Sequence, residues 1–262
     1  MTDIGRATAV LDAIAESQVP LTLTELAVRT GLPRSSVHRV VQALEREQYL
    51  VRSDEHPGYV LGPAVLKFGM NVHLRLLAAN RTRLVALARA VNENVELAIF
   101  SGREVVVVDQ IASPARLKGV TKVGKSFSLH ASSIGLALLA QLPDARVAEL
   151  LSAPLRRFTA GTVTDRDTVL VELDEVRRSQ VAIDIEEHDV GICAVATGMT
   201  GPTGVPQAVA VVIPTTRFAT KADTAVESLR QVNPLVDIDL AQDRCARRLG
   251  RSRFPGQYPA GR

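Results

Sequence analysis

Residues 21–50 read LTLTELAVRTGLPRSSVHRVVQALEREQYL, and their spacing is that of a helix-turn-helix. Thr22 with Glu25 three residues on is a capping-box start. Leu26 and Val28 ride the short helix that follows, and Gly31 permits the tight turn that ends it. Pro33 suits the first turn of the next helix, whose buried face reads Val37, Val40, Val41 and Leu44. The opposite face carries Arg34, Ser35, Ser36, His38, Arg39 and Gln42. Arg offers a fork to guanine or phosphate, Gln can pair with adenine, and Ser reaches phosphate or base edges. These six residues are therefore expected to contact double-stranded operator DNA in the major groove. The plain alternative is a small helical domain with a solvated polar face.

Working outward, Ala7, Val10, Leu11 and Ile14 give residues 6–17 the stripe of an amphipathic helix, which Pro20 stops. On the other side, Tyr49-Leu50-Val51 and Tyr59-Val60-Leu61 flank His56-Pro57-Gly58, a β-hairpin that would lie along the duplex as a wing. Arg52 near its base is a seventh expected DNA contact. Residues 1–62 thus read as a winged helix-turn-helix. Residues 63–80 read as a linker helix, the start of a helical stretch over 64–92. Its Val65, Leu66, Phe68, Val72, Leu76 and Leu77 make it too apolar for a free linker. The pattern predicts packing on the same helix of a second copy, in a homodimer or a dimer of dimers.

Residues 81–249 mix the two periodicities. Strands are predicted near 95–100, 104–111, 181–185 and 207–213. A strand and a helix fall around 129–142, with further helices over 165–180 and 222–249. The GMTGPTGVPQ stretch (198–207) reads as a loop. The class is α+β with antiparallel strands. Residues 250–262, which include RSRFPGQYPAGR, read as a disordered basic tail.

Composition narrows the function. The 262 residues, 46% hydrophobic and 23% charged, describe a globular chain of one large or two small domains, not a disordered one. Aromatics at 3% and the absence of Trp argue against a platform that stacks single-stranded bases. Two cysteines, Cys193 and Cys245, cannot make a disulfide scaffold. No apolar run reaches the length of a spanning helix, Val105 to Val108 being strand-sized, and no apolar leader precedes Ile4 or Leu11, so a cytoplasmic protein with no membrane partner is expected. The net charge of +3 is unevenly spread: counted along the chain it is −2 over 1–62, +5 over 63–92, −6 over 93–243 and +6 over 244–262. Within the negative first segment, Arg29 to Arg39 contains no acid, so the reading helix keeps a local basic footprint.

The second half holds chemically capable groups without an assembled catalytic signature. Cys193 and His130 are a conceivable nucleophile–base pair, and His188 with Asp184, Glu186, Glu187 and Asp189 a conceivable metal set. No CxxC, HExxH or Gly-rich phosphate loop supports either. No catalytic residue, metal or cofactor is expected. Two rival readings remain open: a small-molecule enzyme that uses Cys193 and carries a regulatory winged helix, and an adaptor whose winged helix binds protein.

The sequence resembles the IclR family of transcriptional regulators. The resemblance is carried by RATAVLDAIAES, the 21–52 segment and YVLGPAVLKFG, then by LHASSIGLALLA (129–140) and IEEHDVGICAVA (185–196). It implies a GAF-like effector-binding domain, an antiparallel sheet flanked by helices with a small-molecule pocket on one face. Carried over position by position, it implies effector contacts at Leu117, Gly119 and Phe127, at Ser132, Ser133 and Ile134, at Asp184 and at Cys193. Two departures stand out. Many relatives read Gly-x-Arg-Cys where this chain has Gly191-Ile192-Cys193, and Ser-x-Ser-Gly-Pro where it has Ala210-Val211-Val212-Ile213-Pro214. Aligned on the proline, both pocket serines become Ala210 and Val212. Apolar groups there leave the oxygens of a compact acid poorly paired. The expected partner is therefore a small organic-acid effector with an aromatic or otherwise apolar body.

Overall fold

Capping and turn chemistry set the first three helices. In the computed structural model, which describes residues 2–119, 121–201 and 204–251, these are α1 (Asp3–Ala15), α2 (Leu23–Thr30) and α3 (Arg34–Arg46). The Thr22 hydroxyl accepts the Glu25 N–H, and the Glu25 carboxylate accepts the Thr22 N–H at 2.8 Å. Gly31 ends α2 at φ +66°, a left-handed conformation that L side chains resist. An antiparallel hairpin follows, β1 (Leu50–Arg52) with β2 (Tyr59–Leu61), in register Leu50↔Leu61. Val10, Leu26, Val37, Val41 and Leu50 are wholly buried, so each helix contributes to one shared core.

The chain divides after Arg75 into two units, and α4 (Pro63–Val91) begins in the first and ends in the second. This helix takes in the whole expected linker and continues eleven residues beyond it. No helix among the described residues is long and apolar enough to cross a membrane.

The second unit is built on a six-stranded antiparallel sheet. In chain order its strands are β3 (Asn94–Phe100), β4 (Val105–Ile111), β5 (Ser126–Phe127), β6 (Ala182–Ile185), β7 (Ile192–Thr200) and β8 (Pro206–Pro214). In space the order is β5-β4-β3-β8-β7-β6. Helices α5 (Ser133–Leu139), α6 (Asp144–Leu150) and α7 (Arg166–Ser179) lie between β5 and β6 in the chain; α8 (Thr215–Leu229) and α9 (Ile238–Arg251) close it. Side chains alternate across a strand, and here the alternation separates two kinds of surface. Val95, Leu97, Ile183, Cys193, Val195, Val209, Val211 and Ile213 pack with α4, α8 and α9. Ala98, Ala182, Ala194, Ala196, Ala208 and Ala210 belong to the other core, with α5, α6 and α7. Methyl side chains let α5 come close, and all seven of its residues are buried. Gly135 is needed there, because a Cβ would meet the Ser128 carbonyl oxygen at 2.5 Å and that of Leu129 at 2.6 Å.

The α+β class agrees with expectation, while several elements do not. Strand β7 was not anticipated, and it and β8 run into the stretch read as a loop. Ladder pairs extend to Met199↔Gln207 and Thr200↔Pro206, because strand partners override a Gly- and Thr-rich composition. The single helix expected over 222–249 is two, α8 and α9. Pro234 lacks an N–H to continue a helix, and Asn233 turns the chain, its Oδ1 accepting the Leu235 N–H at 3.0 Å. Helix α6 follows Pro143 and was also missed. Of the expected tail, Gly250 and Arg251 belong to α9, and residues 252–262 lie outside the described residues.

Candidate functional site

Two surfaces carry chemistry, one in each unit. In the first, the core face of α3 fixes what the other face presents. With Val37 and Val41 buried, Arg34, Ser35, His38, Arg39 and Gln42 are exposed and Ser36 is half-buried. Among the ion pairs of the described residues none involves Arg34 or Arg39. Arg52, also exposed, sits at 3.2 Å from Glu45 and 5.5 Å from the Tyr59 ring centroid, so its guanidinium is partly engaged within the unit.

In the second unit, the cavity lies where the alanine face of the sheet is not filled by α5. It encloses about 530 Å³ of non-atom space, part of it open to solvent. Its floor is Ala194 on β7 with Ala210 and Val212 on β8. Ladder register makes this floor continuous, since Ala194 pairs with Val212, and Asp184 on β6 pairs with Ala194. Ser132, Ser133 and Ile134 line it from the start of α5, and Phe127, Ile192 and Gly119 complete the apolar wall. Gly119 lies so close to the floor that a Cβ would meet Val212 Cγ1 at 2.8 Å.

The loop over the cavity is tied down by side chains of the sheet and of α8. Asn94 accepts the Ser113 N–H at 2.6 Å and donates to the Gly119 carbonyl. Arg217 of α8 pairs with buried Glu93 at 2.8 and 2.7 Å and donates to the Leu117 carbonyl at 3.1 Å.

Of the residues expected to contact an effector, Gly119, Phe127, Ser132, Ser133, Ile134, Asp184, Ala210 and Val212 all line this one cavity. Leu117 and Cys193 do not. The Leu117 side chain is exposed, and the residue serves through its carbonyl instead. Cys193 points to the opposite face of the sheet, with Val195 and Ile213, and its Sγ lies 3.4 Å from Thr215 Oγ1. Its neighbours Ile192 and Ala194 take the cavity side, as period-two alternation requires.

Glu96, Thr121 and Lys125, which the sequence did not single out, also line the cavity, as do His188 and Asp189, which it offered only as conceivable metal ligands. Lys125 and Asp189 form its half-exposed mouth, 3.6 Å apart, with the Lys125 ammonium 4.4 Å from the Phe127 ring centroid. His188 is held between rings, stacked on Phe158 at 4.6 Å and edge-on to Phe127 at 4.8 Å, and its Nδ1 is 3.1 Å from Asp189. Glu96 and Asp184 are buried carboxyls at the bottom.

Burial governs how these groups titrate. Desolvation pushes Glu96 above the usual carboxylate range, against the Thr121 hydroxyl and Lys125, which favour its charged form. Burial also raises Asp184, to about 7, although it accepts the Glu187 N–H at 2.8 Å. Glu187 contacts the Arg248 guanidinium directly, and burial raises it as well, to about 8. Burial pushes the Cys193 thiol up to about 12, so it stays neutral near pH 7. His130 leads into α5, on the other side of the sheet from Cys193. Its Nε2 donates to the Arg156 carbonyl at 3.0 Å, its Nδ1 takes the Ser128 hydroxyl at 2.7 Å, and burial lowers its pKa. The two do not form a nucleophile–base pair. Among the described residues no group of three or more His, Cys, Asp or Glu side chains is placed to hold a metal ion.

Comparison with known proteins places this geometry. Residues 4–54 match the model of the IclR helix-turn-helix domain, and residues 69–237 that of the bacterial transcriptional regulator IclR C-terminal domain. The chain is 37% identical to the HTH-type transcriptional regulator Rv1719 of Mycobacterium tuberculosis, over 82% of this chain and 83% of that one. It is 32% identical to the HTH-type transcriptional regulator TtgV of Pseudomonas putida, over 87% of each. A crystal structure from Silicibacter sp. TM1040, assigned to the IclR regulators, superposes with a TM-score of 0.78 at 24% identity, covering 95% of this chain and 96% of that one. An IclR homologue of Microbacterium hydrocarbonoxydans complexed with 4-hydroxybenzoate superposes with a TM-score of 0.63 at 23% identity, over 89% of this chain and all of that one. The last two likenesses speak for the fold alone.

Proposed function

The chain belongs to the IclR family of DNA-binding bacterial transcriptional regulators, and from that premise we propose that a small organic acid with an aromatic or otherwise apolar body binds the cavity of the second unit and tunes operator recognition by α3. The observation that carries this reading is the cavity floor. Ala194, Ala210 and Val212 offer only methyl groups, and Ile134, Phe127 and Ile192 extend the apolar lining. A two- or three-carbon oxoacid bears oxygens over most of its surface and would leave them unpaired against such a floor. A ring or acyl chain gains by burying carbon on it. The Ser133 hydroxyl and the Lys125 ammonium are the lining groups suited to a carboxylate. The Microbacterium homologue, for its part, is complexed with an aromatic acid, 4-hydroxybenzoate.

For DNA, the exposed Arg34 and Arg39 with Ser35, His38 and Gln42 supply donors for phosphates and base edges. Leu66, Phe68, Met70, Val72 and Leu74 of α4 are exposed apolar side chains, which favours burial against a second copy. A two-fold dimer would offer two reading helices to half-sites about one helical turn apart. The effector acts only by binding two arrangements of such a dimer with different affinity.

Calorimetric titration tests the ligand class. A benzoate-type acid should bind and pyruvate or glyoxylate should not. Tight binding of the oxoacids with none of the aromatic acids would refute the assignment.

A further inference from the structure

Glu96 stands in the middle of the sheet and is 2% exposed. Its register partners are Ala210 on β8 and Gln110 on β4. Directly opposite residues on one sheet face have their Cβ atoms about 4.5–5.5 Å apart, so the carboxyl of Glu96 borders the part of the floor that Ala210 leaves low. A larger residue at 210 would cover it. The other buried carboxyl of the cavity, Asp184, is already engaged by the Glu187 N–H at 2.8 Å. Glu96 has a long contact from Gln110 Nε2, at 3.4 Å, and the Thr121 hydroxyl and the Lys125 ammonium at the mouth as its other polar neighbours.

From this placement we infer that Glu96 selects the effector, accepting a hydrogen bond from a hydroxyl or amino substituent carried on the ring that lies over Ala210. The inference rests on the reading that the cavity takes an aromatic acid. The chemistry follows from the acceptor capacity of a carboxyl. Ionised it only accepts, and protonated it still offers a carbonyl oxygen. An unsubstituted ring gives the cavity side of this buried carboxyl no donor, whereas a ring hydroxyl supplies one. Sites built around a substrate hydroxyl reject the analogue lacking it far more strongly than apolar pockets reject an extra group. The ligand class thereby narrows from aromatic acids in general to hydroxylated or aminated ones, with the carboxylate toward Ser133 or Lys125 and the donor toward Glu96.

The test is calorimetry on the full chain with benzoate, 3-hydroxybenzoate and 4-hydroxybenzoate. At least one hydroxybenzoate should bind about tenfold or more tightly than benzoate. In E96M the preference should collapse, with benzoate affinity kept or raised. In E96Q, whose amide carbonyl still accepts, it should persist. Equal affinity for benzoate and both hydroxybenzoates would overturn the role of Glu96 and leave the aromatic-acid reading standing. A preference that survives in E96M would overturn it as well. No binding of any of the three would overturn the aromatic-acid reading itself. The comparison among ligands needs only the unmodified protein, so equal affinities overturn the role of Glu96 even if a variant fails to fold, and E96Q against E96M assigns a preference where one is found.

Discussion

Glu96 on β3 lies directly opposite Ala210 on β8, so a buried carboxyl borders the methyl floor of the cavity. The pairing defines a site that is apolar across its middle and polar at its edges, and the account of ligand class depends on it.

Changing that floor should change the ligand. The double substitution Ala210→Ser with Val212→Ser adds two hydroxyl donors to the face that now has none. We expect affinity for pyruvate-sized oxoacids to appear and affinity for benzoate-type acids to fall about tenfold, as buried hydroxyls left unpaired by a ring cost roughly 1–3 kcal/mol. Unchanged selectivity by calorimetry would show that these positions do not set it.

Gly135→Ala should destabilise the second unit. The new Cβ would lie 2.5 Å from the Ser128 carbonyl oxygen, and backbone atoms there cannot yield as a flexible side chain can. Forced overpacking of this kind costs about 1–3 kcal/mol. Chemical denaturation should show a lower midpoint; an unchanged one would mean that α5 can shift without penalty.

Stability should decline as pH rises toward neutrality. Asp184 titrates near 7 in the folded chain because of burial, well above its ordinary carboxylate value. The folded state therefore holds a proton that the unfolded state has released. The stability linked to that proton is complete below about pH 4 and is lost as pH rises through about 7. Asp184→Asn keeps an acceptor for the Glu187 N–H and removes the Asp184 titration, leaving that of Glu187, which burial also raises. Between pH 5 and pH 8 the wild type should lose more thermal stability than D184N, and parallel losses would exclude Asp184 as the source.

Much of this architecture is legible in the chain itself, where the deciding signals are local. The Thr22–Glu25 box, Gly31 and the Val37/Val41 stripe each act within one turn of helix, and the reading face of α3 follows from them. The serines at the start of α5 and the residues Ala210 and Val212 were legible through the family pattern. Cys193 was misplaced for a reason of parity: in a strand, adjacent residues face opposite sides, and 192 and 194 took the cavity. Glu96 and Lys125 carried no local signal, and His188 stood out only within an acidic cluster read as a conceivable metal set. The β3–β8 ladder and the Lys125–Asp189 contact bring them to the cavity from distant stretches. Pro234 marks the break between α8 and α9, across which the single helix expected over 222–249 ran.

Arg34→Ala and Arg39→Ala should each weaken binding to the operator without unfolding the first unit, since both side chains are exposed. A base-contacting arginine is worth about 1–3 kcal/mol, and its loss relaxes preference at one base pair. A phosphate contact instead weakens all sequences alike and lowers the salt slope by about one. Gel-shift titration over a salt series separates the two, and unchanged affinity in both variants would dismiss α3 as the reading helix.

The central claim is that occupancy of the cavity alters DNA recognition. Fluorescence anisotropy with the DNA upstream of the protein's own gene, with and without a calorimetrically saturating aromatic acid, measures it directly. A coupling of about 1–3 kcal/mol, the usual range for linked sites, would change the apparent Kd about 5- to 150-fold. An identical Kd with the cavity filled and empty would contradict the account.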